Sequence, residues 1–141
     1  MGILVLWVGS LSAVPAVASD DLRGNWLTIS AVRQGEPAVD VIGHRATFDR
    51  ARFEIRARDG SLLFKGSYTL EPDKSPPAID FRHTGGVESG TIWKGIYDHS
   101  GTNELTICDN APDPEMPRPT ALHAPEGSDY ICLLFERSKG D

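Results

Sequence analysis

The chain has 141 residues, the size of one domain, with 14 Lys and Arg against 20 Asp and Glu, a net charge of −6. So acidic a chain lacks the surplus of Lys and Arg that general nucleic-acid binding needs to neutralise phosphates. Hydrophobic residues at 40% and charged residues at 24% fit an ordinary globular domain and not a disordered chain, the composition excludes a coiled coil, a collagen and a multi-pass membrane protein, and fourteen glycines and ten prolines are high for a helical protein and normal for short strands joined by turns.

The first eighteen residues contain no charge and run through the apolar Ile3-Leu4-Val5-Leu6-Trp7-Val8 to Ala16-Val17-Ala18. That small-x-small ending, followed by Ser19-Asp20-Asp21, is the pattern of a signal-peptidase site, although the segment lacks the usual Lys or Arg at its start. Residues 1–18 are expected to be a signal peptide and 19–141 a single domain in a secreted, periplasmic or envelope location. The alternatives are a retained anchor or an apolar first strand. No later segment approaches the length of a membrane span.

Beyond residue 19 the dominant pattern has period two. Trp26 to Val32 and His44 to Asp49 read as the first two strands. In Arg52 to Arg58, Phe53, Ile55 and Ala57 share one face while Arg52, Glu54, Arg56 and Arg58 share the other. Asp59-Gly60 turns the chain into Leu62 to Leu70. Ala78 to Arg82, Thr91 to Tyr97, Glu104 to Cys108 and Tyr130 to Arg137 complete eight strands. No stretch reads as a crossover helix, so the expectation is an all-β, antiparallel, up-and-down barrel closed by its first and last strands. Such a barrel is filled by side chains or holds one small ligand. The residues expected to line its interior and any cavity include Phe53, Ile55, Phe64, Tyr68, Phe81, Ile96, Ile107 and Leu133.

The long connection Asp109–Ser128 holds Pro112, Pro114, Pro117, Pro119 and Pro125, so it is a loop rather than a sheet interior. On either side of it stand the two cysteines. If Leu105 and Ile107 point inward, Cys108 points outward, and if Ile131, Leu133 and Phe135 point inward, Cys132 points outward. Neighbouring antiparallel strands then place both sulfurs on one face, and a Cys108–Cys132 disulfide is expected. The alternative is two free thiols in strands of a different register.

No catalytic constellation stands out. His44, His83, His99 and His123 lack metal-ligand spacing, and no Cys-x-x-Cys occurs. Asp98 to Glu104 is oxygen-rich but fits a hairpin turn better than a calcium loop. Gly86-Val87-Glu88-Ser89-Gly90 has the wrong spacing for a nucleophile elbow. No cofactor site, metal site or enzymatic activity is expected. Charge is uneven: Arg45 to Arg58 carries five arginines against two acids, and Arg52, Arg56 and Arg58 form a candidate surface for an anionic ligand, glycan or partner. A solvated strand face is the simpler reading of the same residues.

Several pieces in order carry a resemblance: Leu22-x-Gly24-x-Trp26, Ala46-Thr47-Phe48, Lys65 to Pro76, Ala78-Ile79-Asp80-Phe81, Gly95-Ile96-Tyr97, Leu105 to Cys108, Arg118-Pro119 and Leu133 to Arg137. Together they resemble a small lipocalin-like domain family known mainly from planctomycete genomes, over about residues 21–139. The resemblance implies a lipocalin-like barrel outside the cytoplasm and no particular activity or ligand. The sequence departs from the family where a Phe usually follows Arg-Pro by a few residues; Leu122 or His123 stands there. The lipocalin analogy also implies that Arg137, near the end of the last strand, covers the indole of Trp26 beside Gly24. Two functions remain open: a monomeric, non-enzymatic module binding a small apolar or anionic molecule, or an envelope structural domain that meets a protein partner and has a filled barrel.

Overall fold

The computed structural model describes residues 21–99 and 101–138; the expected signal peptide, residues 1–18, lies outside them. Among the described residues nine strands form one antiparallel sheet: β1 (Gly24–Arg33), β2 (Glu36–Pro37), β3 (Arg45–Asp49), β4 (Arg52–Arg56), β5 (Leu62–Glu71), β6 (Ala78–Gly86), β7 (Ile92–Asp98), β8 (Glu104–Asp109) and β9 (Ile131–Arg137). From β3 onward each strand pairs with the next, β1 pairs with β3 on one side, and β9 returns to pair with β1. Eight strands therefore close an up-and-down barrel, and the two-residue β2 is a spur folded back onto the end of β1. One 3-10 turn, Val39–Val41, bridges β2 and β3. Among the described residues no helix is long and apolar enough to cross a membrane.

Alternation decides which side chains face inward. On β4, Phe53 is buried between the exposed Arg52 and the half-exposed Glu54. Phe53 stands opposite Phe48 on β3 and Gly66 on β5, and Tyr68 stands opposite Phe81 on β6. Trp26, Phe48, Phe53, Tyr68, Phe81 and Leu105 belong to one packed core, with edge-on ring contacts of 5.0 Å for Phe48–Tyr68 and 5.1 Å for Phe53–Phe81.

On β7 the inward face is not the expected one. Phe81 pairs with Trp93, and Trp93 and Tyr97 join the core, while Ile96 stands opposite Ala78 and Cys108 on the outer face. Ile96 therefore does not line the interior, although it is buried. The charges mark the correct phase: Lys94 and Asp98, both exposed, alternate with Ile92 and Ile96, whereas Trp93, Gly95 and Tyr97 carry no charge. The bulky aromatics take the inside and the isoleucines share the face that must solvate Lys94.

The closed end is sealed around Trp26, which is fully buried. Its Nε1 donates to Leu22 O at 2.9 Å, and His99 stands edge-on at 5.6 Å. The Arg137 guanidinium lies 4.2 Å from the Trp26 ring centroid, donating from Nε to Thr102 O and from Nη1 to Arg23 O, both at 2.8 Å. One cation thus ties the entry to β1 to the β7–β8 turn while covering the indole.

Cys108 and Cys132 are cross-strand partners on β8 and β9 and are joined by a disulfide, with Cα atoms 4.0 Å apart. The bond spans the proline-rich connection, which is fixed to the barrel as a strap. Asn110, fully buried, continues the ladder beyond β8: its Oδ1 accepts from Lys94 N at 2.9 Å, and its Nδ2 donates to Pro114 O and Met116 O. Farther along, Arg118 Nη1 donates to Ile79 O and Gly95 O and pairs with Asp80 at 2.7 Å. Tyr130 Oη donates back to Pro117 O at 3.0 Å.

Candidate functional site at the open end of the barrel

The half of the barrel remote from Trp26 is not filled. A cavity of about 240 Å³ opens there. Ile55 and Phe64 form one wall, Ile131 and Leu133 another, and Trp93 and Phe135 bound it toward the core. Ala111 and Pro112, at the start of the strap, stand at its edge with Val41. This is a pocket for one small molecule, below the roughly 300–1,000 Å³ of drug-sized sites.

Of the residues expected to line a cavity, the structure brings Ile55, Phe64 and Leu133 to it. Phe53, Tyr68, Phe81 and Ile107 point inward but pack into the core. Ile96 lies on the outer face.

His83, also inward, is 2% exposed and wedged among aromatic rings, with centroids 5.4 Å from Phe53, 5.8 Å from Phe64 and 4.1 Å from Trp93. Its Nδ1 lies 2.9 Å from Thr91 O, a contact that needs the Nδ1–H tautomer. Desolvation pushes its pKa below the usual histidine value, so the ring is neutral and serves as an aromatic filler beneath the cavity.

The polar residues of the lining were not apparent in the sequence. Asp109 ends β8 on the inward phase set by Leu105 and Ile107, and is 2% exposed. Its Oδ1 accepts from Ala111 N at 2.9 Å. Burial pushes its carboxyl up to about 7, so that near neutrality it is divided between acid and carboxylate. Its cross-strand neighbour is Gly95, where a Cβ would stand 2.8 Å from Asp109 Cβ and 2.6 Å from Cys108 O. Gly95 thus leaves the space that the carboxylate side chain occupies. Thr28, Arg33, His44 and Glu88 complete the polar part of the wall. Arg33 is engaged by Asp40 through two bonds of 3.0 and 2.9 Å, and desolvation lowers the pKa of His44. Among the described residues no three His, Cys, Asp or Glu side chains converge as a metal site would require.

The arginine face of β4 is largely engaged with its own surroundings. Arg56 pairs with Glu54 at 3.2 Å and donates to Gly60 O, and Arg58 donates to Ile42 O at 2.8 Å, packed over Gly43. Arg52 stands cross-strand from Asp49. Arg45 stands directly opposite Arg56, so cations adjoin across β3 and β4, while Glu54 and Asp49 place acids on the same two strands.

Comparison with known proteins finds no matching family model, no matching curated protein and no matching solved structure. The geometry of the barrel therefore carries the functional argument.

Proposed function

We propose that this chain is an exported, non-enzymatic, lipocalin-like binding domain that takes one small, mainly apolar molecule into the open end of its barrel. The observation that carries this reading is the division of the interior. One half is packed with aromatic side chains around Trp26, and the other keeps about 240 Å³ open between Ile55, Phe64, Trp93 and Leu133. Protein interiors are normally close-packed, and a space of this size lacks the contacts that stabilise a core unless a guest supplies them. The disulfide and the apolar first eighteen residues support export. The resemblance to the planctomycete lipocalin-like family supports the same location.

Native mass spectrometry of the protein purified from its own host tests the reading. A mass increment that disappears on denaturation is expected. Titration of the apo domain with 2-phenylethanol should shift Trp93 emission, and Leu133→Trp, which fills the cavity, should abolish the shift while leaving the domain folded. A bare mass together with no response to apolar probes would favour the other reading, an envelope interaction module whose barrel needs no guest.

A further inference from the structure

Asp109 is an anomaly in an apolar barrel. It points inward, is 2% exposed, and satisfies one oxygen with Ala111 N–H. Among the described residues no Lys, Arg or His side chain forms an ion pair with it. A buried carboxylate without a cation is costly, and proteins keep such groups paired or neutral. The lining contains two basic groups, but Arg33 is held by Asp40 and His44 is pushed toward its neutral form by burial. Glu88 adds a second acid. The cavity therefore offers a guest negative charge and no free positive charge.

The surrounding surface is suited to a cation. Trp93 and Phe64 pack at 4.9 Å in the wall, and Phe135 completes an aromatic lining. Ring faces attract ammonium groups, more strongly when water is excluded. An anionic guest would meet Asp109 and Glu88 without a counter-charge. A neutral guest would leave Asp109 without a counter-charge and hold it as the neutral acid.

We propose that the guest is an organic amine, a small molecule with an apolar body and a protonated amino group that pairs with Asp109 beside the Trp93 ring. This inference rests on the cavity-binding reading and narrows it to one ligand chemistry. The amine supplies the cation that the chain withholds, and Gly95 provides the room for Asp109 to present its carboxylate. Binding also carries a pH signature. The carboxyl lies at about 7, so an amine that needs the carboxylate binds less tightly as pH falls below that value. The other titratable groups of the lining are Arg33, His44 and Glu88, His83 lies beneath it against Trp93 with its pKa lowered by desolvation, and Lys94 of β7 is exposed on the outer face.

The test uses three probes of similar shape: 2-phenylethylamine, 2-phenylethanol and phenylacetate, titrated calorimetrically into the disulfide-bonded domain. A charge-assisted hydrogen bond makes the amine bind about 10- to 100-fold more tightly than the alcohol at pH 8. Asp109→Asn should bring the amine to the level of the alcohol in the same variant, and a cooperative unfolding transition shows that the variant is folded. In the unsubstituted protein the amine should lose roughly tenfold between pH 8 and pH 6 while the alcohol does not. Equal affinity for amine and alcohol, tighter binding of phenylacetate, or an amine preference that survives Asp109→Asn and is independent of pH overturns the amine assignment. Binding of the alcohol then still supports the cavity. Failure of all three probes removes both readings. Should Asp109→Asn not fold, the amine-to-alcohol ratio and its pH dependence in the unsubstituted protein decide.

Discussion

Gly24 and Arg137 occupy adjoining space: a Cβ on Gly24 would stand 2.5 Å from Arg137 Nη1, and the glycine has a φ of +127°. The Gly-x-Trp opening of β1 is thereby explained by packing. Glycine accepts the backbone conformation and clears the path of the guanidinium, and two residues later the tryptophan receives it.

Arg137→Ala should destabilise the domain by about 1–3 kcal/mol, combining a cation–π contact with two hydrogen bonds to backbone carbonyls. Trp26 emission should shift to the red, read in a Trp93→Phe background with the chain beginning at Ser19. Gly24→Ala should cost about 1–3 kcal/mol through strain. The double variant should cost less than the sum, because removing the guanidinium relieves the collision. Strict additivity in chemical denaturation would contradict this account.

The Cys108–Cys132 bond closes a segment with a sequence separation of 24. The chain-entropy model assigns such a loop about 3 kcal/mol. The Cys108→Ala/Cys132→Ala double variant should lose stability of that order. Unfolded, unreduced protein from an oxidising compartment should show no thiol reactive toward alkylating reagents, and two after reduction.

Asp109 should make the folded state less stable at high pH. Its folded value of about 7 lies above the ordinary 3.8, so the native protein retains a proton that the unfolded chain releases. Its contribution to stability is complete below about pH 4 and is lost as pH rises to about 7. Asp109→Asn should accordingly be more stable than the parent by roughly 4 kcal/mol at pH 8, and the gap should close near pH 4. Paired denaturation curves across that range measure the difference directly.

The strap should come loose when its anchors are removed. Asn110→Ala deprives Lys94 N, Pro114 O and Met116 O of buried partners, at a cost of about 2–4 kcal/mol. Arg118→Ala removes the contacts with Ile79, Gly95 and Asp80. Limited proteolysis should then cut within residues 111–128 in either variant well before it cuts the barrel.

The eight barrel strands were legible in the sequence because each combines a period-two pattern with a turn. The disulfide was legible because a single alternation argument on β8 and β9 determined both cysteine faces. On β7 the same argument misplaced Ile96, since hydrophobicity was weighed before the charges of Lys94 and Asp98. Asp109 read as the first residue of the long proline-rich connection, although its phase continues Leu105 and Ile107. An acid at the end of a strand looks like the start of solvent, and only the closure of the barrel reveals that it is inside. The anchoring of Arg118 depends on carbonyls 39 and 23 residues earlier in the chain, which no local pattern encodes.

The pairing of β1 with β9 has a consequence for how the domain is held. Trp26 pairs with Arg137, and Ser138 N donates to Asn25 O, so the chain enters and leaves the barrel side by side at the plugged end. A tether attached through either terminus, whether a retained leader or a fused partner, would therefore grip the base of the cup and hold its mouth away from the attachment surface. The cavity mouth would stay unobstructed whichever terminus bears the anchor.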